Sequence, residues 1–316
     1  IHAHARILAI DASEALAMPG VHAVITGRDL PEYFGIIPWT EDEQALCEDK
    51  ARYVGDAIAA VAADSEVIAE EALRRIRVEY EVLPAVTDID TALAHPEWKV
   101  NEKAEQGNVS KHVRLEFGAV DDALAASDEV VECEYWYEGS THAPIEPHCC
   151  VAEYDATGFL TVHSSTQVAH YLHRDLAKVL GLPTQRVRVI QPTVGGAFGG
   201  KSEPFGHEMA VAKLSMITGR PVKILLTREE EFYIHRGRHP MRMRFKVGAK
   251  KDGTLLKKRI RSCEDKLEVR VTRLHEVRQL KHELDTRLDQ LSAVEDGLIK
   301  EQIDLEAELA DAKQQL

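Results

Sequence analysis

No stretch of the sequence approaches ~18 consecutive apolar residues, so nothing in it reads as a membrane-spanning helix. Cysteine is scarce: Cys47, Cys133, Cys149, Cys150 and Cys263 include no C-x-x-C pair. That excludes a disulfide scaffold, and it leaves an iron–sulfur cluster on this chain without ligands. Reduced thiols in a cytoplasmic protein are the expectation, with Cys149 and Cys150 packed in a strand. Positive charge is in deficit, 39 Lys and Arg against 53 Asp and Glu for a net −14. Neither nucleic acid nor an anionic membrane is therefore expected as a partner. The sequence starts at Ile1, with neither an initiating Met nor a signal-peptide pattern, and reads as beginning inside a longer product. What remains is 316 residues with 44% hydrophobic content, room for two domains with filled cores.

Residues 191–201, Gln-Pro-Thr-Val-Gly-Gly-Ala-Phe-Gly-Gly-Lys, stand out. They follow an alternating apolar run at 186–190 and precede a helical pattern that ends before Gly219, so they form a loop between strand and helix. Four glycines around one aromatic, Phe198, exceed what a tight turn needs. Glycine lets a backbone adopt positive φ and bring its N–H groups up to an anionic ligand, and the dipole of the following helix adds to this. One chemistry compatible with the spacing is nucleotide binding, because Gly195, Gly200, Lys201 and Ser202 satisfy Gly-x-x-x-x-Gly-Lys-Ser. That reading lacks its magnesium partner: the next apolar strand, 222–226, runs into Thr227 and Arg228 instead of an Asp.

The predicted fold class is α+β. Residues 5–10 and 21–26 read as strands around a short helix at 11–17. Residues 53–62 read as a buried strand, Asp64 caps a helix running to Arg75, and 76–82 return as a strand. These two strand–helix–strand units are expected to bury one sheet. Periodicity fades over 88–110, a linker. Helix 117–127 and strand 129–136 follow, then strand 160–163 and a helix over 167–180 with Val168, Leu172, Leu176, Val179 and Leu180 on one face, ended by Gly181 and Pro183. Strand, helix, strand, glycine loop, helix, strand is a crossover pattern with parallel neighbours, which places Gln167 and the glycine loop together at the carboxyl ends of strands, where open sheets bind ligands.

Four ordered segments carry a resemblance. Gly195-Gly196-Ala197-Phe198-Gly199-Gly200-Lys201 resembles the loop that cradles molybdopterin in the xanthine dehydrogenase and aldehyde oxidase family, the molybdenum hydroxylases. Ser164-Ser165-Thr166-Gln167 is similar to that family's Ser-Thr-Gln segment, and the segment from His142 through Glu146, Pro147 and His148 to Cys149 to its Glu-Pro segment. Arg236-Gly237-Arg238-His239-Pro240 with Val247-Gly248 match further on. The resemblance covers roughly residues 1–256. It implies an α/β hammerhead-like domain over 1–87 that lacks its opening strand, a linker at 88–110, and the first part of a molybdopterin-binding α/β domain over 111–260. It also implies that Gln167 donates a hydrogen bond to the metal's oxo group and that Gly195, Gly196, Ala197, Phe198 and Gly199 contact the pterin. FAD and iron–sulfur clusters are expected on partner subunits. Residues 140–253, with Lys201-Ser202-Glu203-Pro204 after the loop, most resemble the branch that reduces 4-hydroxybenzoyl-CoA, which implies an aromatic CoA thioester as substrate.

Glu146 can act as a general base, or it can pair with an arginine or accept backbone hydrogen bonds; the second reading is preferred. His2 and His4 are read as incidental alternate histidines rather than metal ligands, and the pair His170 and His173 lacks a Cys or acidic third ligand at usual spacing. The basic run Arg236, Arg238, Arg242, Arg244, Lys246, Lys250 and Lys251 can meet an anionic substrate, but its alternation with Met241, Met243 and Phe245 favours a strand with a solvated face.

Beyond residue 256, glycine, proline and aromatics almost vanish. Val277, Leu284, Leu291, Leu298, Leu305 and Ala312 occupy one heptad position; Leu267, Leu274, Leu288, Leu309 and Leu316 the other, interrupted by Lys281, Glu295 and Gln302. A coiled-coil helix over 261–316, about 80 Å long at ~1.5 Å per residue, is predicted and offers homo-oligomerisation. The family's catalytic glutamate belongs to a second half of the cofactor domain for which this sequence has no counterpart, so no general base is assigned. An inactive family remnant assembling through its coiled coil is the expectation that competes with an enzyme.

Overall fold

Alternating residues at the start of the chain build β1 (Ala5–Asp11), followed by the one-turn helix α1 (Ser13–Leu16) and β2 (Val21–Thr26). The structure, a computed structural model, describes residues 2–36, 41–104, 106–115, 117–234 and 236–251. The coiled coil expected at 261–316, with Cys263, lies outside the described residues. Contacts divide the chain into two units, one of Ile1–Arg114 with Trp136–Arg242 and one of Leu115–Tyr135 with Met243–Leu316.

The first unit continues through β3 (Lys50–Ala51), β4 (Ala59–Ala63), α2 (Glu66–Arg74), β5 (Arg77–Val82) and α3 (Ile89–Ala94). The strand expected at 53–62 is shortened to β4, because Gly55 takes a φ of +97° and the Asp56 carboxylate accepts from the Arg52 N–H at 2.9 Å, turning the chain. The cap of α2 is Ser65 rather than Asp64: its Oγ accepts from Ile68 N–H at 3.3 Å, whereas Asp64 faces His22 Nε2 at 2.6 Å. Asp88 does cap, but for α3, accepting from the Thr91 N–H at 2.8 Å inside the stretch where periodicity faded.

The two strand–helix–strand units do not bury a single sheet. β1 pairs antiparallel with β3 and β5, and β2 pairs antiparallel with β4 in a separate sheet. Each unit thus crosses from one sheet to the other through its helix, so two sheets lie where hydrophobic alternation alone suggested one.

The second unit contains α4 (Val120–Ala125) and most of β6 (Glu129–Tyr137). The chain then enters β7 (Cys149–Tyr154), β8 (Leu160–Ser164), α5 (Ala169–Val179), β9 (Val187–Ile190), α6 (Gly206–Thr218), β10 (Val222–Leu225), α7 (Arg228–Ile234) and β11 (Met241–Ala249), the last paired with β6. The order in the four-stranded sheet is β10-β7-β8-β9. β8 and β9 are parallel neighbours across α5, as the crossover pattern requires, but β10 pairs antiparallel with β7. Cys149 and Cys150 sit in β7, Cys150 fully buried.

α5 turns Leu172, Leu176 and Val179 into the core. α6 is apolar over most of its surface: Met209, Ala210, Val211, Ala212 and Leu214 are all buried, and the helix contacts both β2 and β7. One continuous core therefore joins Ala23, Ile25, Leu30, Phe34 and Leu46 to Cys150, Leu160, Val162 and Leu214. Gly206 opens α6 where a Cβ would come within 2.2 Å of the Ala45 carbonyl oxygen. Gly219, at a φ of +64°, closes it. Among the described residues, no helix is long and apolar enough to cross a membrane.

Candidate functional site

Because β8 and β9 are parallel neighbours, the segments leaving their carboxyl ends meet. Ser165, Thr166 and Gln167 follow β8, and the glycine loop follows β9. A third segment, 142–148, closes against the glycine loop. A Cβ on Gly195 would stand 2.9 Å from the Glu146 Cβ, and one on Gly199 would stand 3.2 Å from His142 Nε2. Two non-glycine residues take positive φ among the described residues, Ala143 at 40° and Phe198 at 55°. Both belong to these facing loops, and strain of this kind collects where a binding surface demands it.

Each expected site residue can be placed. Gly196 and Gly199 have φ of +104° and +98°, conformations that side chains rarely adopt. Phe198 projects outward, 73% exposed. Gly195 is exposed too, its N–H given to Glu146 Oε2. Ala197 is buried. Gln167 is exposed but held from behind: its Oε1 accepts from the Gly199 N–H at 3.1 Å and the Lys201 N–H at 3.2 Å, and its own N–H donates to the Lys201 carbonyl at 2.8 Å. Its Nε2 donors remain on the outer side.

Lys201 meets the nucleotide-binding spacing but does not present its side chain to a ligand. Its side chain is fully buried, with Nζ 3.3 Å from Glu146 Oε2 and 3.4 Å from the Pro147 carbonyl oxygen. Glu146 thus takes the pairing role expected of it, with a lysine rather than an arginine as partner. A lysine spent in this way is not available to phosphates. The helix after the loop begins only at Gly206, five residues beyond Lys201, where Glu208 Oε2 already accepts from the N–H of the N-cap Phe205 at 2.8 Å. The dipole contribution expected at the loop is therefore displaced. Arg228, where an Asp was needed for magnesium, donates instead to the Pro144 and Ile145 carbonyls at 2.7 Å each and anchors the facing loop.

Sequence reasoning missed the layer beneath. Glu208 is buried and accepts from Ser164 Oγ as well as the Phe205 N–H; burial raises its carboxyl to about 7. His207 is pressed down to about 3 by burial and by the neighbouring His148. His148 meets Glu231 through both ring and backbone, Nδ1 to Oε2 at 2.9 Å and N to Oε2 at 3.0 Å, and burial lowers its pKa. Arg236 lies between Glu43 and Glu203, 5.1 Å over the Phe205 ring. Phe205 precedes α6 where a Ser or Thr would have announced a capping box, which is why Glu208 drew no notice.

Part of the basic run is likewise paired. Arg242 pairs with Asp90, Arg244 with Glu134, and Lys246 lies 3.8 Å from Glu132. His173 Nε2 faces the Thr184 and Val187 carbonyls at 3.0 and 3.1 Å, and His4 Nδ1 the Pro84 carbonyl at 2.8 Å.

Residues 100–267 match the sequence profile of the molybdopterin cofactor-binding domain, and residues 1–84 that of the aldehyde oxidase and xanthine dehydrogenase a/b hammerhead domain. The chain belongs to the xanthine dehydrogenase and aldehyde oxidase family. Among relatives of this family, the nicotinate dehydrogenase large molybdopterin subunit of Eubacterium barkeri is 42% identical over 254 residues, covering 80% of this chain and 58% of that protein. A probable xanthine dehydrogenase subunit of Bacillus subtilis (strain 168) is 38% identical over 255 residues, covering 80% and 33%. The crystal structure of quinoline 2-oxidoreductase from Pseudomonas putida 86 superposes with a TM-score of 0.69 at 33% identity over 79% of this chain and 33% of that one. Aldehyde oxidoreductase from Desulfovibrio gigas gives 0.71 at 32%, over 79% and 28%. The chain thus spans between a quarter and three fifths of the length of these family members.

The loops fit the family's molybdopterin. They offer an exposed glycine cradle that a Cβ would fill, an outward aromatic, and an amide whose acceptor side is already satisfied.

Proposed function

We propose that this chain is the cofactor-holding part of a molybdenum-dependent oxidoreductase. Gly196, Phe198 and Gly199 would line the pterin, with Gly195 and the Ala197 backbone beside them, and Gln167 would donate from Nε2 to the metal end of the cofactor. When bound, the molybdenum–pterin group supplies the redox chemistry; the protein's share is to place it and tune its surroundings. The observation that carries the reading is the tethering of Gln167 Oε1 by two loop N–H groups, which leaves a donor face beside the strained, exposed Phe198.

A nitrogen heteroaromatic is favoured as substrate over the aromatic CoA thioester expected from sequence. Relatives named for nicotinate, xanthine and quinoline support it, and Arg242, Arg244 and Lys246 of the basic run are already paired with carboxylates. Glu146 is engaged by the loop and is not proposed as the base. A hammerhead part over 1–87, a linker over 88–110 and a cofactor part over 111–260 remain the proposed division. Electrons would pass through flavin and iron–sulfur partner subunits, in keeping with the subunit naming of the relatives. The free thiols of Cys47, Cys133, Cys149 and Cys150 agree with a cytoplasmic setting.

The test is molybdenum content per mole of chain after coexpression with the partner subunits in a host that makes the pterin. A value near one, lost in Gly199→Val, is expected. Absence of molybdenum in the unaltered chain would leave a family remnant.

A further inference from the structure

We infer that Lys201 is a positioning residue that sets which face of the Gln167 amide is turned outward. The inference rests on the cofactor reading above only for what that face would meet.

The two ends of a glutamine amide are nearly the same shape, one a pure acceptor and the other a pure donor, and only the surrounding hydrogen bonds decide which way it lies. Here two backbone N–H groups, of Gly199 and Lys201, converge on the inner end, so that only the oxygen can occupy it. The Gln167 N–H returns a bond to the Lys201 carbonyl, so Lys201 is held to Gln167 by both its backbone groups.

What keeps that backbone in place is the side chain. Lys201 Nζ is fully buried, where an ammonium is tolerated only when paired. Its partners are the Glu146 carboxylate and the Pro147 carbonyl, both on the facing segment. The same Glu146 oxygen also accepts the Gly195 N–H. One carboxylate therefore grips the loop at its first glycine and, through Lys201, at its last residue. Between these two points lie the positive-φ positions Gly196, Phe198 and Gly199, held locally by turn bonds alone, Gly200 N–H to the Ala197 carbonyl at 2.8 Å and Ser202 N–H to the Gly199 carbonyl at 3.3 Å. Without the pin, the Gly199 and Lys201 N–H groups would diverge and the amide would be free to turn its acceptor outward. With it, the site admits oxygen acceptors at this point and turns donors away. The lysine that matched a phosphate-binding spacing thus acts on the loop from behind.

Hydrogen exchange of the full chain, read by mass spectrometry on peptides spanning the loop, tests this with no cofactor bound. Lys201→Met should raise exchange across residues 194–202 by about tenfold while peptides from α5 and α6 keep their wild-type rates. Lys201→Arg, which restores the charge, should return the loop to within about threefold of wild type. Gln167→Glu, which keeps the inner acceptor, should leave loop exchange unchanged. Wild-type loop exchange in Lys201→Met, no rescue by arginine, or loss of loop protection in Gln167→Glu would each overturn the inference. If Lys201→Met exchanges fast everywhere because it fails to fold, Glu146→Gln decides: faster exchange confined to the loop supports the pin, and no change refutes it. A chain that carries no molybdenum would sink the cofactor reading and leave the exchange result standing.

Discussion

Ser164 Oγ donates to the carboxylate of Glu208, a fully buried group that pairs with no cation among the described residues. Glu208 joins the first turn of α6 to the end of β8, three residues before Gln167, and it lies next in sequence to the buried His207. Two adjacent ionisable groups, both deprived of water, are shifted in opposite senses.

Their pH dependences follow from those shifts. Burial raises Glu208 from 4.5 to about 7, so its favourable share is present below pH 4.5 and is lost as pH climbs to 7. Burial lowers His207 from 6.5 to about 3, so its share is present above pH 6.5 and is lost as pH falls toward 3. At ~1.4 kcal/mol per pKa unit these amount to roughly 3 and 5 kcal/mol. The two slopes oppose each other between about pH 4.5 and 6.5. Urea unfolding across pH 4–8 should show Glu208→Gln becoming more stable relative to wild type as pH rises, and His207→Phe becoming more stable relative to wild type as pH falls. Parallel stability–pH curves for wild type and both variants would contradict the assignments.

Arg236 holds two carboxylates apart. Burial pushes the Glu43 carboxyl up, and the guanidinium offsets part of that. Arg236→Met should leave Glu43 and Glu203 facing each other uncompensated and cost about 2 kcal/mol, less than a fully buried pair because both ends keep some solvent. Combining it with Glu43→Gln should recover more than half of that loss; strictly additive losses in the double variant would show that the groups are not coupled.

Gly206 and Gly219 bracket α6 for different reasons. A Cβ at Gly206 would meet the Ala45 carbonyl oxygen at 2.2 Å, whereas at Gly219 it would meet nothing within 4 Å and only the φ of +64° resists it. Gly206→Ala should therefore cost more than ~2 kcal/mol and Gly219→Ala about 1 kcal/mol. Equal losses of melting temperature in the two variants would show that the approach to Ala45 does not limit this helix.

Thiol chemistry gives a further check on packing. Cys47 and Cys150 are buried with their pKa values raised, by burial first and then by nearby carboxylates, whereas Cys133 and Cys149 are partly open. A thiolate-specific reagent at pH 8 should label Cys133 and Cys149 in the native chain and reach Cys47 and Cys150 only on unfolding. Early labelling of Cys150, mapped by mass spectrometry, would contradict its place inside β7.

Much of the site was legible because it is local. The glycine density of 195–200, the strand before it and the Ser164–Gln167 segment are contiguous patterns, and the parallel pairing of β8 with β9 follows from the helix between them. The face of α5 was legible for the same reason, with Leu172, Leu176 and Val179 recurring at helical spacing. Lys201 was misleading, since its spacing fits two chemistries and only the position of Glu146 distinguishes them.

The sequence by itself determined most of the strands and helices, though not β3, α3 or α7, and that a glycine loop must follow β9, because periodicity and glycine's missing Cβ act within a few residues. Tertiary structure alone decided that β1 and β2 enter different sheets and that β10 joins beside β7. It also decided that Lys201 turns inward to Glu146, and that Glu208 and His207 lose their water. Strand partners, ion pairs and desolvation are set by groups far apart along the chain, and no local pattern records which of them will meet.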